Sequence, residues 1–207
     1  MTAARRIEYK FLHWGPFVCN YTLTKEEVEA FKLLHTNEDY RKELAGHLQN
    51  EKGLNTDEVF KLLFPYLNSY VQGFHEQRGE VLTKGKLELE TAWINRQKKN
   101  EFNPPHIHDG DLSFVLYTEV PAGLYEECKS SVSNSPGPGC ITFDFNMHGG
   151  LNKFFLQTHS HLPSVGDVFI FPAGLPHWVY PFKTTEGERV SISGNINLKV
   201  KDDSKEK

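Results

Sequence analysis

Apolar residues follow a helical spacing in the first third of the chain. Thr24 and Glu27 stand three residues apart, as the two partners of a capping box do, and Val28, Phe31 and Leu34 then fall on one helical stripe. A stripe of this kind is the face that an amphipathic helix buries against a core. The pattern therefore predicts a helix that begins at about Thr24 and packs against the rest of the protein.

Two further segments carry the same pattern. Residues 37–50 place apolar side chains at helical spacing, and residues 55–74 do so after Asn55 or Thr56, either of which can cap a helix. Pro65 is expected to end or kink the second of these helices, because its ring removes a backbone donor and clashes with the preceding turn. We therefore expect three helices in this part of the chain, with the last boundary open.

The pattern changes to short β-like runs after about Gly79. Several runs alternate apolar and polar residues with a period of two, and all are rich in β-branched and aromatic residues. The predicted strands cover residues 86–97, 112–121, 139–146, 166–172, 177–182 and 189–200. We expect the segment 182–189 to be a hairpin turn. The pattern favours an antiparallel barrel or sandwich.

The chain is expected to form one mainly β domain with helices on its outside. No internal repeat or long linker divides it, so residues 1–78 are best explained as a helical brace packed on a β core in residues 79–199. Residues 200–207 are too polar to bury and are expected to be disordered. The length of 207 residues suits this arrangement, since it is enough for one good-sized core.

Composition and charge argue against several classes of partner. The chain is 38% hydrophobic and 24% charged, with a net charge of -4 and an isoelectric point near 6.2, so it offers no basic field for nucleic acid. Its first residues lack the apolar stretch of a secretory signal, and no run approaches the ~20 apolar residues that span a bilayer. We expect a soluble, cytoplasmic protein without a nucleic-acid or membrane partner.

The cysteines suggest no covalent or metal framework. Cys19, Cys128 and Cys140 are odd in number, far apart, and form no CxxC pair. Neither a disulfide framework nor a thiolate zinc site is indicated. We expect free thiols.

Candidate metal ligands come from two histidine pairs. His106 and His108 are two residues apart, so on a strand both imidazoles leave the same face and can bind one metal ion. His177 lies in another predicted strand, and a closed β core can bring it beside this pair as a third ligand. His159 and His161 have the same spacing but no third partner, and we expect them in a solvated loop.

A buried anion site is predicted close to these histidines. Arg189 follows His177 in the next strand, and Ser191 lies two residues further on, therefore on the same side of that strand. An arginine that points into a β core is costly unless it meets an anion. Its planar fork suits a carboxylate, and the serine hydroxyl adds one more donor.

The order of these motifs resembles the iron(II)- and 2-oxoglutarate-dependent oxygenases, and within them a small bacterial and phage subgroup. The resemblance covers roughly residues 66–198. It rests on a W-x-N strand, an H-x-H segment, a G-D-x-x-x-F-P segment that precedes a histidine, and an R-x-S-x-S-x-N strand. In this chain the motifs are Trp93 and Asn95, His106 and His108, Gly166 to Pro172 with His177, and Arg189, Ser191, Ser193 and Asn195.

The resemblance implies a double-stranded β-helix, or jelly roll, that uses Fe(II), 2-oxoglutarate and O2. Such an enzyme converts 2-oxoglutarate to succinate and carbon dioxide while it hydroxylates a C–H bond of its primary substrate. By the same resemblance, Arg189 and Ser191 hold the distal carboxylate of 2-oxoglutarate. Tyr117 adds a hydroxyl, and Asn95 and Asn195 line the same pocket. Aromatic residues around the site would exclude water from it, although ordinary packing of the barrel is the favoured explanation for most of them. They are Phe114, Phe171, Trp178 and Tyr180.

The predicted ligand set departs from the usual one of this superfamily. Most members use His-x-Asp or His-x-Glu with a distal histidine, whereas His108 occupies the carboxylate position here. Asp109 is the alternative ligand, but as a neighbour of His108 it leaves the opposite face of a regular strand. The predicted catalytic residues are His106, His108, His177 and Arg189, of which the three histidines bind the metal.

Two alternatives keep much of the same fold. Residues 166–181 match the second cupin motif apart from Pro181, although the glutamate of the first cupin motif is absent. A cupin would keep the metal but act as a three-histidine dioxygenase, an isomerase or a sugar-binding sensor. A metal-free β-barrel that binds a small molecule or a partner protein is the second alternative. Arg189 with Ser191 favours the oxygenase, because a cupin has no need of this pair.

The primary substrate is not indicated by any residue pattern. The resemblance favours a hydroxylase, with a small-molecule cosubstrate and a peptidyl residue among the candidate substrates. The N-terminal helices are open to two interpretations, a homodimer interface or a brace alone.

Overall fold

The computed structural model describes residues 15–79, 85–133, 137–145 and 158–200. Its helices are α1 (Lys25–Lys32), α2 (Thr56–Arg78) and α3 (Leu124–Ser130). Its strands are β1 (Cys19–Thr22), β2 (Thr36–Asp39), β3 (Glu51–Leu54), β4 (Gly85–Gln97), β5 (Asn103–His106), β6 (Leu112–Glu119), β7 (Ile141–Asp144), β8 (Thr158–His161), β9 (Asp167–Pro172), β10 (His177–Val179) and β11 (Arg189–Val200). The prediction of a mainly β protein is confirmed.

The strands form two antiparallel sheets. The larger sheet has the order β1-β9-β6-β11-β4-β3-β2, and the smaller has the order β5-β10-β7-β8. Strand β11 lies at the middle of the larger sheet, where it pairs with β4 on one side and β6 on the other. From β4 onward the chain passes repeatedly from one sheet to the other, so both sheets contain strands from the whole of this part of the chain.

Side-chain alternation along the central strands builds two apolar layers. Leu116, Ile170 and Ile192 pack in the layer between the larger sheet and helices α1 and α2. Tyr117 and Phe171 leave the opposite face of the same sheet and pack in a second layer, which includes residues of the smaller sheet. One strand serves both layers because successive residues point to opposite faces.

Helix α1 begins as the sequence predicts. The Thr24 hydroxyl accepts a hydrogen bond from the Glu27 backbone N–H at 3.2 Å, and the Glu27 carboxylate accepts one from the Thr24 backbone N–H at 2.8 Å. Both halves of the predicted capping box are therefore present. Val28 and Phe31 are buried, as the apolar stripe requires.

Helix α2 continues through Pro65. Its first turn is capped by the Asn55 side chain, and it stops at Gly79, whose φ of 67° is a left-handed conformation that glycine adopts at low cost. Leu63 and Leu67 are fully buried in the layer beneath the helix. We attribute the continuation to this packing, which outweighs the hydrogen bond lost at the proline.

The helix predicted over residues 37–50 is wrong. Strand β2, a 3-10 turn at Arg41–Glu43 and an irregular stretch that leads to β3 occupy this part of the chain. Strand β3 pairs with β2 and with β4, so residues before 79 supply edge strands of the larger sheet as well as two helices. Gly46 disfavours a helix here by about 1 kcal/mol, and sheet pairing satisfies the backbone groups instead.

Two segments predicted as a turn and a loop also differ. Residues 182–189 do not form a hairpin turn, because β10 and β11 belong to different sheets and this segment crosses between them. The Glu127 carboxylate helps to hold the crossing by accepting a hydrogen bond from the Lys183 backbone N–H at 2.6 Å. His159 and His161 lie in β8 at the edge of the smaller sheet, since pairing with β7 orders this segment as a strand.

Three simpler predictions concern membranes, thiols and the tail. Within the described ranges, no helix is both long and apolar enough to cross a membrane. The cysteines are free, and the sulfur atoms of Cys128 and Cys140 lie 3.8 Å apart. The tail predicted over residues 200–207 lies outside the described residues except for Val200, which ends β11.

We expect Leu63→Ala to lower the free energy of unfolding by about 2 to 5 kcal/mol, because the change leaves a cavity between α2 and the larger sheet. Leu33→Ala is the matched control, since Leu33 is 78% exposed whereas Leu63 is fully buried. Urea denaturation of both variants measures the difference. Equal losses in the two variants would contradict the packing of α2 described above.

Candidate active site

Three histidines meet where β5 and β10 pair. His106 ends β5 and lies opposite His177, the first residue of β10. The backbone N–H of His108 donates to the Ala173 carbonyl at 3.0 Å, which ties this part of the chain to the turn after β9. Each ring offers one nitrogen, and these three nitrogens lie within 4.8 Å of one another. The predicted trio is therefore brought together in an arrangement that can hold one metal ion.

Backbone carbonyls orient two of the three rings. His106 Nδ1 lies 2.7 Å from the Pro104 carbonyl oxygen, and His177 Nδ1 lies 2.9 Å from the Leu175 carbonyl oxygen. A carbonyl can only accept, so in both rings Nδ1 carries the hydrogen. The lone pair then resides on Nε2, which is the tautomer that a metal ligand requires.

Burial keeps the three rings neutral. Removal from water lowers the pKa of His106, lowers that of His108 to about 4, and lowers that of His177 to about 3. The neighbouring rings add to the shift for His108 and His177, because two positive imidazoles would repel each other. At neutral pH the cluster therefore offers uncharged nitrogen donors, and no proton has to leave before a metal binds.

The nearby carboxylates lie outside the histidine cluster. Asp109 is exposed, and it is not part of the group of side chains whose ligand atoms converge. The Asp111 carboxylate accepts a hydrogen bond from the Leu198 backbone N–H at 2.7 Å, which ties it to β11. The geometry thus groups three neutral donors and leaves the reserve candidate Asp109 at the surface.

Arg189 is buried without a carboxylate partner among the described residues. It is 2% exposed, and its Nη1 donates to the Gly139 carbonyl at 2.9 Å, while its Nε has no acceptor within the described ranges. Burial lowers its pKa, but the ordinary value is so high that the guanidinium stays charged. Because a buried charge without a counter-ion is costly, this position favours an anionic ligand.

Tyr117 and Ser191 surround the guanidinium with further donors. The Arg189 guanidinium carbon lies 5.3 Å from the centre of the Tyr117 ring, and Ser191 stands opposite Tyr117 in the pairing of β6 with β11. Burial raises the pKa of Tyr117 to about 12, so its hydroxyl keeps its proton at neutral pH. That hydroxyl is buried and has no partner within the described ranges. A carboxylate is the ligand that this donor set fits.

One cavity joins the histidines to the arginine. The predicted site residues that line it are Asn95, His106, His108, Tyr117, His177, Arg189 and Ser191. Asn195 is the exception, since it lies outside the lining and its Oδ1 accepts a hydrogen bond from the Ser113 hydroxyl at 2.8 Å. Ser193 also lines the cavity, and its position two residues after Ser191 was a signal that could have added it to the prediction.

The expected aromatic wall is only half present. Phe114 and Phe171 line the cavity, whereas Trp178 and Tyr180 do not. Tyr180 is 39% exposed, because it follows the end of β10 and leaves the sheet. Two of the four aromatic residues are therefore placed to exclude water from the cavity.

Sequence reasoning missed the N-terminal part of the cavity. Leu44, Gly46 and Glu51 line it together with Asn103 from β5. The first three lie in or next to the segment for which a helix was predicted, and no local motif marks them. They reach the cavity because β3 pairs with β4, a contact that only the folded sheet creates.

The chain matches a known family model. A family model described as "Putative 2OG-Fe(II) oxygenase" matches residues 91–195. The matched region contains the three clustered histidines together with Arg189 and Ser191. No protein with a curated function matches the sequence.

Solved structures with a similar fold include a prolyl hydroxylase and an oxidoreductase of the 2OG-Fe(II) oxygenase family. A viral collagen prolyl hydroxylase from Paramecium Bursaria Chlorella virus-1, solved with 2-oxoglutarate, is 13% identical, and the alignment covers 86% of this chain and 94% of that chain with a TM-score of 0.53. An oxidoreductase of the 2OG-Fe(II) oxygenase family from Burkholderia pseudomallei is 12% identical, with 87% and 84% covered and a TM-score of 0.51. These similarities confirm the predicted jelly-roll fold.

We expect the metal-free protein to lose stability as the pH falls from about 6.5 towards 4. The unfolded chain takes up protons on its histidines near their ordinary pKa of 6.5, whereas the folded protein keeps His108 and His177 neutral down to about 4 and about 3. The unfolded state therefore binds more protons in this window. Each of these histidines then lowers the free energy of unfolding by up to about 1.4 kcal/mol per pH unit.

Urea denaturation of chelator-treated protein near neutral pH and near pH 5 measures this slope. His108→Gln should lose part of the slope, while His35→Gln should keep all of it, because His35 is exposed. If both variants kept the slope of the wild type, the histidine cluster would not be its source.

Proposed function

Because the chain belongs to the 2OG-Fe(II) oxygenase family, we propose that its histidine cluster binds the iron and that Arg189 binds 2-oxoglutarate. The protein is an Fe(II)- and 2-oxoglutarate-dependent oxygenase. The family match also decides between this function and the cupin or binding-barrel alternatives. What remains to be assigned is the role of each residue in the cavity.

The metal site that we propose consists of His106, His108 and His177. Its support is the convergence of three ring nitrogens within 4.8 Å, with two of the rings held in the ligand tautomer by backbone carbonyls. Three neutral ligands leave the full charge of a divalent ion in place, in contrast to a set that contains a carboxylate. Bound iron(II), with 2-oxoglutarate and O2, supplies the oxidising chemistry that yields succinate, carbon dioxide and a hydroxylated C–H bond.

The cosubstrate site that we propose is centred on Arg189, and the observation that carries it is the buried donor set. The guanidinium, the Tyr117 hydroxyl and the Ser191 hydroxyl border the cavity that the histidines also line. Arg189 Nε and the Tyr117 hydroxyl lack partners within the described ranges, so both are available to a carboxylate of 2-oxoglutarate. Its distal carboxylate would compensate the buried positive charge, which would orient the keto-acid end towards the histidines.

The remaining predicted residues have supporting positions in this proposal. Phe114 and Phe171 provide apolar walls that keep water from the cavity. The Asn95 side chain donates a hydrogen bond to Glu51 and accepts one from Trp93. The Asn195 side chain accepts a hydrogen bond from the Ser113 hydroxyl. We propose that these two amides position strands β3, β4, β6 and β11 around the cavity. The catalytic core would then span residues 79–199, completed by side chains from the preceding segment.

We expect the protein to bind about one equivalent of Fe(II), with His108 as the third ligand. His108→Ala should weaken metal affinity at least tenfold, since it removes one of three donors, whereas Asp109→Ala should leave it unchanged. Anaerobic titration with Fe(II), followed by metal analysis of the separated protein, gives both affinity and stoichiometry. If Asp109→Ala lost the metal while His108→Ala retained it, Asp109 and not His108 would be the third ligand.

The cosubstrate assignment predicts the behaviour of Arg189 variants. Arg189→Ala should weaken binding of 2-oxoglutarate to the metal-loaded protein by about 30-fold or more, the usual cost of removing one partner of a buried charge pair. Tyr117→Phe should weaken it by a smaller factor of about 3 to 10, because one neutral hydrogen bond is lost. Equilibrium binding under anaerobic conditions and succinate formation after admission of oxygen are the two measurements.

Arg96→Ala is the control for these variants. Arg96 lies on β4 with a partly exposed side chain and pairs with Glu188 at 3.3 Å, away from the cavity lining. Its removal should leave binding of 2-oxoglutarate unchanged. Stable metal binding by the wild type with no response to 2-oxoglutarate would overturn the proposed function of the site.

A further inference from the structure

Glu51 is a buried carboxyl group in the cavity that the chemistry above does not use. It is the first residue of β3, is 2% exposed, and lines the cavity. One carboxylate oxygen, Oε1, accepts a hydrogen bond from the side-chain nitrogen of Asn95 at 2.9 Å, in the amide orientation that also lets the Asn95 oxygen accept from Trp93 Nε1 at 3.2 Å. The other oxygen, Oε2, is buried and has no partner within the described ranges.

A second oxygen acceptor lies close to this carboxylate. A Cβ atom placed on Gly46 would lie 2.6 Å from Glu51 Oε1 and 2.5 Å from Asn103 Oδ1. Both oxygens therefore border the same small region, and the lack of a side chain at Gly46 allows the backbone to approach them. Two oxygen acceptors therefore lie next to Gly46 in this wall of the cavity.

The charges around Glu51 do not compensate it. Burial, and after it the negative charge of Glu101, raise the pKa of Glu51 to about 7. Arg41 acts in the opposite direction, but its guanidinium is already paired with Asp39, with Nε 2.9 Å from Oδ1 and Nη2 2.5 Å from Oδ2. Among the charged groups that act on Glu51, carboxylates thus outnumber cations.

The position of Glu51 in the sheet sets its distance from the cosubstrate site. Ser191, Asn95 and Glu51 stand side by side across β11, β4 and β3. Neighbouring strands are about 4.8 Å apart, so Glu51 lies roughly 10 Å from Ser191 across the floor of the cavity. Trp93, on the same face of β4 as Asn95, has its ring centre 5.5 Å from that of His108. Glu51 and the three histidines therefore line one cavity, and Trp93 lies in the same wall.

We infer that Glu51 is a specificity determinant that binds a positively charged group, an ammonium or a guanidinium, on the primary substrate. The cavity then has two electrostatic ends, Arg189 for the carboxylate of the cosubstrate and Glu51 for the cation of the substrate. A cation satisfies the free carboxylate oxygen and supplies the counter-charge that the described residues do not. The Asn103 oxygen accepts one of its remaining N–H donors. This inference rests on the proposed function, because it assigns the substrate of the same site.

Matched probes test whether the site recognises charge. The cationic probes are butylammonium, butylguanidinium and the Nα-acetyl methylamides of lysine and arginine. Their neutral counterparts are butanol, butylurea and the Nα-acetyl methylamides of norleucine and citrulline. Binding to metal-loaded protein in the presence of 2-oxoglutarate is measured by calorimetry without oxygen, for the wild type, Glu51→Gln and the control Glu119→Gln, whose residue is exposed on β6.

The wild type and Glu119→Gln should bind at least one cationic probe tenfold or more tightly than its neutral counterpart. Glu51→Gln should lose that preference, because it keeps the shape of the side chain but removes its charge. The melting temperature of Glu51→Gln at about pH 8 should equal or exceed that of the wild type, since an uncompensated buried carboxylate is gone. A purely structural glutamate would instead lower it. Glu51→Met, of similar length, is a second uncharged variant if Glu51→Gln fails to fold.

Four results would overturn the inference. They are equal binding of cationic and neutral probes by the wild type, retention of the preference in the Glu51 variants, failure of every cationic probe to bind, and a melting temperature of Glu51→Gln below that of the wild type at about pH 8. Binding of 2-oxoglutarate by the wild type is recorded in the same samples. If that binding is absent, the proposed function itself fails, whereas its presence with any of the four results removes only the role of Glu51.

Discussion

The register of β11 in the larger sheet is the constraint on which the rest of the structure depends. This strand is paired on both sides, and its residues alternate between the helix-covered layer, which takes Val190 and Ile192, and the cavity, which takes Arg189 and Ser191. A slip of one residue would push the guanidinium into the apolar layer beneath the helices and turn Val190 and Ile192 into the cavity. Pairing with β4 and with β6 therefore determines both the packing of the larger sheet and the face on which Arg189 lies.

The cavity concentrates groups that are expensive to bury. Its walls hold three neutral imidazoles, one guanidinium and one carboxyl group whose free oxygen has no partner within the described ranges. In a purely structural core, buried charges of opposite sign would be paired with one another. Here Arg189 lies on β11 and Glu51 on β3, with β4 between them and Arg189 offset by two residues along the strands, so each can be satisfied by a different ligand. Because each of these buried charges lacks an oppositely charged partner among the described residues, the cavity favours molecules that carry the opposite charge.

The segment before residue 79 has a larger part in the site than a brace would have. Helices α1 and α2 cover one face of the larger sheet, but β3 extends that sheet beyond β4 and brings Glu51 and Gly46 to the cavity. The family match begins at residue 91, after this segment. The residues that we propose for the metal and the cosubstrate fall inside the matched region, whereas Glu51 and Gly46 lie outside it. Substrate recognition is thus the function that we propose for Glu51 on β3.

The sequence predicted the features that depend on periodicity within one strand. Side chains two residues apart on a strand share a face. This rule was enough to place His106 beside His108, and Arg189 beside Ser191. The helix predicted over residues 37–50 failed for the opposite reason, since its apolar spacing fits a helix locally while the edge of a sheet was available to pair with it. By itself, then, the sequence determined six of the strands after Gly79, the histidine trio and the buried arginine. Only the tertiary structure decided that Glu51 and Gly46 face the same cavity, because pairing between distant strands follows from the packing of the whole sheet and leaves no local mark.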